Sequence, residues 1–103
     1  MVNVIIYLKK EFKAEELVCF LLTEKLIASA SIDANNISYK MVNDKLKKEV
    51  YSVITAKSKS LLLDKIIMTV EERIGVEVLI NSTPIVGSNN FFYELVTKNT
   101  IQK

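Results

Sequence analysis

Few of the side chains that carry most protein chemistry occur in this sequence. It has no histidine, one cysteine (Cys19) and one arginine (Arg73). Zinc and copper prefer imidazole and thiolate ligands, so composition excludes a Cys/His site for either metal within one chain. Any metal site would need carboxylates. No set of residues has the pattern of an active site, and we predict no catalytic residues, no cofactor-binding residues and no enzyme.

Four individual side chains still have chemistry to offer. Cys19 lies between two apolar residues on a stretch with helical spacing, and we expect it to be buried and inert. Tyr39 and Tyr51 lie on alternating stretches, where aromatic residues pack in sheets or at subunit contacts; facing a pocket is the alternative. Lys57 precedes the start of a helix, where an anion can bind, although a solvated lysine is the simpler interpretation.

Hydrophobic periodicity in the first half of the chain predicts the elements that position these residues. Residues 2–8 are rich in β-branched side chains and predict a buried strand, and residues 14–26 have the i, i+4 spacing of an amphipathic helix. Residues 27–57 alternate on both sides of Asn43-Asp44, a pair that tolerates turns, which predicts one long β-hairpin. Three lysines near that turn should be solvated: Lys45, Lys47 and Lys48.

The second half of the chain predicts a helix, a strand and a further helix. Residues 62–74 carry an apolar helical stripe, with Ser58 or Ser60 as the N-cap and Gly75 just past the end. Residues 76–80 predict a strand. A short C-terminal helix follows, and its cap is one of Ser88, Asn89 and Asn90.

This order of elements predicts one α+β domain spanning residues 1–103, a ferredoxin-like βαββαβ sandwich with a long hairpin and a short C-terminal helix. The right-handed crossover rule places both main helices on one face of the sheet. Yet residues 2–8 and 50–56 are apolar in both alternation phases, so both sheet faces should exclude water. We therefore expect a homo-oligomer, because a second copy is the simplest cover for the free face.

Composition bears on the partners and the compartment. The net charge of +2 gives little support for binding to nucleic acid. A single cysteine fits a reducing compartment. No apolar run approaches the roughly 20 residues of a membrane helix, and the apolar stretch near the N-terminus precedes its lysines, unlike in a secretory signal. We expect a cytoplasmic protein without a membrane partner.

Several short motifs occur in the order typical of one known family. Residues 22–32 read LTEKLIASASI, which resembles the LLEEKLAACVNI of the CutA divalent-cation-tolerance family. Without a gap, Ile37-Ser38-Tyr39 is similar to the family's SVY, and Lys57 falls on the lysine of its IKT. Val76-Glu77-Val78 resembles the YEV of HPYEVP. Two further matches are Pro84-Ile85 and Ser88-Asn89.

This resemblance implies a ferredoxin-like trimer of the PII-like superfamily, in which the hairpin is exchanged between neighbours. It implies a role in divalent metal tolerance or small-ligand binding, a divalent metal as the possible cofactor, and no common catalytic reaction. The family's strand cysteine falls at Ser29 and its histidine near Ile74, so Glu77 remains as the candidate metal ligand. Tyr39, Lys57 and Glu77 are the candidate residues of an inter-subunit cleft.

Two other functions use the same order of elements. An RRM-type module that binds single-stranded RNA needs exposed aromatic residues on the first and third strands, where this chain offers Tyr7 and Tyr51. An enzyme of acylphosphatase type needs glycines and an arginine in a phosphate-binding loop. The only arginine, Arg73, is instead predicted late on a helix.

Overall fold

The computed structural model describes residues 1–101 and has the predicted α+β, ferredoxin-like βαββαβ architecture. Four antiparallel strands form one sheet in the order β2-β3-β1-β4. Within residues 1–101, no helix combines the length and apolar composition that crossing a membrane requires. The elements are β1 (Val2–Lys9), α1 (Ala14–Thr23), β2 (Ser29–Val42), β3 (Lys45–Ser58), a 3-10 turn (Ser60–Leu62), α2 (Leu63–Ile74), β4 (Leu79–Pro84) and α3 (Asn90–Lys98).

The hydrophobic core lies between one face of the sheet and the helices α1 and α2. Along β1, buried and half-buried residues alternate, and the fully buried ones include Val4 and Ile6. Leu21 from α1 and Ile66 from α2 belong to the same core cluster. The period of two in the strand and of 3.6 in the helices thus brings their apolar sides together. We call this side of the sheet the covered face.

The hairpin of β2 and β3 turns at Asn43 and Asp44, as predicted. Both residues have positive φ (51° and 63°), which a two-residue type I′ turn requires and which Asn and Asp tolerate. Each strand has 14 residues, and the molecule measures 46 Å along its longest axis. A β-bulge between Asp33 and Asn36 adds one residue to β2 relative to β3.

The bulge changes which side chains of β2 lie on which face. Ser31 pairs with Thr55 before the bulge, whereas Ser38 pairs with Glu49 after it. Because side chains alternate along a strand, odd-numbered residues before the bulge share a face with even-numbered residues after it. Lys40 therefore lies on the side of the sheet away from the helices, which we call the open face.

The first helix is shorter than predicted. It ends at Thr23 instead of residue 26. The amide of Lys25 donates to the Leu22 carbonyl and that of Leu26 to the Leu21 carbonyl, while Lys25 takes a positive φ of 57°. This is a Schellman ending in which lysine occupies the position usual for glycine. It directs Leu26 into the core, where it is buried.

The expected serine cap of α2 is wrong. The Ser58 hydroxyl donates to the Leu26 carbonyl at 2.5 Å, and Ser60 begins the 3-10 turn, so neither side chain caps the helix. Gly75 does end α2 with a φ of 85°, as predicted. At α3 the cap is Asn89, whose side-chain oxygen accepts from the Phe92 amide at 2.9 Å.

Two further expectations are also wrong. β4 spans Leu79–Pro84 instead of residues 76–80, because its register is fixed by pairing with β1, from Tyr7 opposite Leu79 to Val2 opposite Pro84. Cys19 is exposed instead of buried. The buried side of α1 is formed by Ala14, Leu17, Val18 and Leu21, and Cys19 does not belong to this helical stripe.

Candidate functional site

Two tyrosines form the centre of the open face. Tyr7 on β1 and Tyr51 on β3 lie on the same side of adjacent strands, with ring centroids 6.0 Å apart and ring planes at 80°. This edge-to-face arrangement is a favourable geometry for aromatic pairs. Tyr51 is buried and Tyr7 half-buried. The pair therefore forms a fixed wall between the hairpin and β4.

An ion-pair network adjoins this wall on the hairpin. The carboxylate of Glu49 lies 3.3 Å from the ammonium groups of both Lys40 and Lys47. The Tyr51 hydroxyl also hydrogen-bonds to Glu49. Side-chain alternation on β3 and the bulge on β2 bring these four residues to the open face. One carboxylate thus holds two lysines and one phenol.

Hydrogen bonding tunes the charge of this network. The pKa of Glu49 is lowered from 4.5 to about 2, first because of the hydrogen bond from Tyr51 and then because of those from Lys47 and Lys40. The pKa of Tyr51 is raised, first because its hydroxyl donates a hydrogen bond to the Glu49 carboxylate, which favours the protonated phenol, and then because of burial. The carboxylate therefore stays ionised at neutral pH and serves as an acceptor, whereas a general acid would need a raised pKa.

Two cavities of about 300 and 310 Å³ lie on either side of the tyrosine wall. Both are lined by Tyr7, Lys40, Tyr51 and Leu79, so they form one continuous depression, which we call the open-face groove. The first extends past the ends of β1 and α2, and the second extends over the hairpin. Their other lining residues include Lys9, Phe12, Glu71, Glu77 and Val78 for the first, and Ser38, Glu49 and Asn81 for the second.

The three residues predicted for an inter-subunit cleft lie apart within one chain. Glu77 lines the open-face groove. Tyr39 is exposed on the opposite face of the hairpin, because the bulge moves Lys40 into the position that an unbroken strand would give to Tyr39. Lys57 lies in a third cavity, where its ammonium contacts the side-chain oxygen of Asn3 at 2.5 Å.

The Lys57 cavity lies where α3 reaches one end of the open face. It measures about 400 Å³ and is lined by Asn89 and Phe92 as well as Asn3. The third helix thus covers part of the face that we predicted to have no helix. Lys57 faces the start of α3 and not that of α2, and its ammonium already contacts a neutral amide oxygen.

The carboxylates of residues 1–101 do not converge on a metal site within one chain. Among residues 1–101, no three His, Cys, Asp or Glu side chains come close enough to share a metal ion. Glu77 has Glu71 as a neighbour in the groove, but the Glu71 carboxylate accepts from the Val78 amide at 3.4 Å. This donor set does not fit a resident transition metal, which takes four or more ligands.

The geometry also bears on the two alternative functions, RNA binding by an RRM-type module and catalysis by an acylphosphatase-type enzyme. Base stacking needs free aromatic faces, but Tyr51 is buried against Tyr7 and hydrogen-bonded to Glu49. The guanidinium of Arg73 lies 3.9 Å from the centre of the Phe20 ring. Arg73 lines two cavities with Lys13 of the loop after β1, but that loop has no glycine to cradle a phosphate. Neither arrangement matches the site that those functions require.

Sequence reasoning missed most of the open-face groove. The sequence patterns gave a pocket only as the alternative for Tyr51 and a ligand role for Glu77, and they did not indicate the network of Glu49 with Lys40 and Lys47. Two signals could have found it. Glu49 is the only acidic residue of β3 and follows three lysines near the turn, and the largely polar run Asp33-Ala34-Asn35-Asn36 is a poor strand former that marks the bulge.

Structural comparison relates the whole chain to solved CutA proteins. The divalent cation tolerance protein CutA1 from Thermus thermophilus matches with a TM-score of 0.86 at 20% identity, covering 97% of this chain and 99% of that one. CutA1 from Oryza sativa matches with a TM-score of 0.89 at 21% identity, covering 99% and 94%. A periplasmic divalent cation tolerance protein CutA from Archaeoglobus fulgidus matches at 0.83 and 20%, covering 96% and 98%.

Comparison by sequence alone gives no match. No protein-family model matches the chain, and no curated protein sequence matches it. The likeness to the solved proteins is therefore one of fold, and it extends over nearly every residue. The resemblance that was carried by many short motifs is confirmed at that level: this chain has the fold of the CutA1 divalent cation tolerance proteins.

Proposed function

We propose that the chain is a non-catalytic, CutA-like homotrimer that serves divalent metal tolerance or small-ligand binding. The observation that carries this proposal is the match of the whole fold, long hairpin included, to proteins described as divalent cation tolerance proteins. The site supports the non-catalytic part of this proposal, because Glu49 on the open face forms ion pairs and a hydrogen bond with its neighbours and its lowered pKa does not suit a general acid.

The apolar surface supports the assembly. Beyond the helices, the hairpin exposes a stripe of large apolar residues on the side opposite Lys40. Monomeric proteins rarely expose contiguous apolar patches of this kind, whereas subunit contacts use them. The open face adds half-buried apolar residues from β1 and β3. The stripe consists of Ile37, Tyr39, Met41, Leu46 and Val50.

Light scattering coupled to size exclusion tests the trimer. We expect three times the chain mass of 11.7 kDa. Met41→Lys should reduce that mass, because Met41 is 64% exposed in the single chain and would be buried in the assembly. Met68→Lys is the matched control, since Met68 is similarly exposed (60%) but lies on α2. A monomeric wild type, or equal effects of both variants, would contradict the assembly.

Calorimetry with copper tests how metal tolerance could operate. We expect weak or undetectable binding, because the chain has no imidazole and one thiol. Tight binding that disappears in Cys19→Ser would show that the exposed thiol is a ligand and would contradict this expectation. A metal-sensitive growth defect after gene deletion, rescued by the wild type, would support the tolerance role.

We propose the cytoplasm as the location, on the basis of the single cysteine, which fits a reducing compartment. The Archaeoglobus fulgidus protein with this fold is described as periplasmic. Cell fractionation distinguishes the two compartments, and recovery of the protein outside the cytoplasm would contradict this part of the proposal.

A further inference from the structure

We propose that the open-face groove receives the end of the hairpin from a second copy of this chain, with Lys48 of one copy paired to Glu77 of the next. The contact deepens the homotrimer proposed above and rests on it, because it assigns which surface of one subunit meets which surface of its neighbour. Three observations carry it: the reach of the hairpin, the direction of its apolar stripe, and the charges on the two surfaces.

The hairpin extends beyond the rest of the sheet. β1 pairs with β3 only as far as Lys9 opposite Tyr51, whereas β2 and β3 continue through six further pairs to Val42 opposite Lys45. At about 3.3 Å per residue, this arm of residues 37–50 projects roughly 20 Å. The apolar stripe lies on the arm and is exposed there. The arm is thus long enough to lie across a neighbouring subunit.

A chain cannot place this stripe in its own groove. Lys40 lies on the open face, so Met41 and its cross-strand partner Leu46 point to the opposite side of the same sheet. The contact must therefore join two copies, and it joins two different surfaces. Each copy then gives one arm and receives one, which is a heterologous contact of the kind that closes into rings.

The end of the arm offers an apolar anchor to the groove. Leu46 is 69% exposed in the single chain, more than any other residue of the stripe, and Met41 lies directly opposite it. The first cavity of the groove measures about 300 Å³, and its apolar lining includes Phe12, Val78 and Leu79. Contact between these surfaces removes both from water, which favours association.

The stripe side of the arm carries one unpaired positive charge. Lys48 lies two residues from Leu46 on the same side of β3 and is the only charged strand residue on that side of the arm. It is exposed and has no ion-pair partner among residues 1–101. The lysines on the other side, Lys40 and Lys47, are already held by Glu49.

The groove carries the opposite charge. Its lining includes two lysines, Lys9 and Lys40, and three glutamates, which gives a net charge of −1. Glu49 is held by its lysines and Glu71 accepts a backbone amide, whereas Glu77 is exposed and has no ion-pair partner among residues 1–101. An arm surface of +1 therefore complements this groove, and such complementarity selects one contact over others.

Thiol cross-linking tests the contact. Leu46→Cys and Leu79→Cys are made singly and together in a Cys19→Ser background and treated with a short bifunctional maleimide. We expect the double variant to give covalently linked dimers and trimers, and the two single variants to link only after they are unfolded and refolded together. Met68→Cys with Leu79→Cys is the matched control, because Met68 is exposed on α2 and not on the arm, and it should stay unlinked.

Two results of the cross-linking would overturn the contact. Links in Leu46→Cys alone, as frequent as in the double variant, would show that the arms meet one another. A double variant that is assembled by light scattering but stays unlinked would show that the arm lies elsewhere.

Exchange of the two charges tests the contact without altering its apolar side chains. Lys48→Glu and Glu77→Lys should each raise the protein concentration at which half of the assembly dissociates by at least about tenfold, because each sets like charges against one another. The two changes together should restore the wild-type value. The matched controls, Lys65→Glu and Glu72→Lys, change exposed residues of α2 outside the groove and should have no effect. A double variant no more stable than the singles would contradict the Lys48–Glu77 pair.

The mass of the wild type, measured alongside, separates this contact from the proposed function. A trimer whose double cysteine variant stays unlinked contradicts the arm contact and leaves the proposed trimer standing. An assembly of another size with the expected links contradicts the trimer and supports the arm contact. A monomeric wild type contradicts both.

Discussion

The two faces of the sheet are built from the same kind of residue but have different surroundings. On β1, Val4 and Ile6 lie on the covered face and have no exposed surface, while Ile5 and Tyr7, which alternate with them, are half-buried on the open face. The helices account for this difference, since Leu21 of the core cluster comes from α1. Strand alternation thus determines which residues share a face, and the packing partner determines how much each one contributes to stability.

Polar groups follow the same division. On the covered face, Ser58 is fully buried and donates to the Leu26 carbonyl, as a buried hydroxyl must. On the open face, Glu49 is ionised, partly exposed and held by two lysines and a phenol. The covered face therefore uses polarity to join two segments of the chain, and the open face concentrates charge where a partner can reach it.

The largest expected effect comes from truncating adjacent isoleucines on opposite faces. Ile6→Ala should lower the free energy of unfolding by about 2–5 kcal/mol, because it leaves a cavity in the core. Ile5→Ala should cost less within one chain, since its side chain is only half-buried. In the proposed trimer its loss should instead increase the dependence of stability on protein concentration.

Urea unfolding at low and at high protein concentration measures both effects. The two variants remove the same atoms from neighbouring positions of one strand, so each is the control for the other. Equal losses that do not change with concentration would show that the two faces are equivalent and would remove the physical basis for self-association.

A smaller effect is expected from removing a hydroxyl on each face. Ser58→Ala should cost about 1–3 kcal/mol, because it leaves the Leu26 carbonyl without this donor in a buried position. Ser31→Ala is the matched control on β2: Ser31 is exposed on the open face, and surface substitutions of this kind usually stay within about 0.5 kcal/mol. Thermal unfolding by circular dichroism should separate the two, and indistinguishable midpoints would contradict the structural role of Ser58.

Most of the fold could be predicted from the sequence because its signals are local. Residues 2–8 alternate as a strand must, Asn43 and Asp44 suit the positive φ of a tight turn, and Gly75 suits the end of a helix. The errors occurred where a contact distant in sequence decides the outcome. Ser58 looks like a cap until Leu26, 32 positions earlier, supplies a carbonyl.

The candidate site was harder to predict for the same reason. A single extra residue in the bulge between Asp33 and Asn36 exchanges the faces of Tyr39 and Lys40, and no period of two can reveal where it falls. Glu77 was chosen through a motif and does line the groove. Glu49 has no such motif among the quoted matches, and its role depends on a lysine from the other strand of the hairpin.

The smallest expected effect concerns the titration of Glu49, which tests the open face alone. Its pKa is lowered from 4.5 to about 2, with the Tyr51 hydrogen bond as the first cause. A lowered carboxylate pKa contributes stability that is present above the unfolded value and is lost as the pH falls through the folded value. We therefore expect the network to stabilise the hairpin above about pH 4.5 and to lose that contribution as the pH approaches 2.

Tyr51→Phe removes the phenol and keeps the ring, so the pKa of Glu49 should rise toward 4.5 while Lys47 and Lys40 still hold it below that value. Tyr39→Phe is the matched control, because Tyr39 lies on the other face of the hairpin and should leave the titration unchanged. NMR of the side-chain carboxyl carbon follows this group directly. A midpoint that stays near 2 in Tyr51→Phe would mean that the lysines alone hold the charge, and the tyrosine wall would then be independent of the ion-pair network.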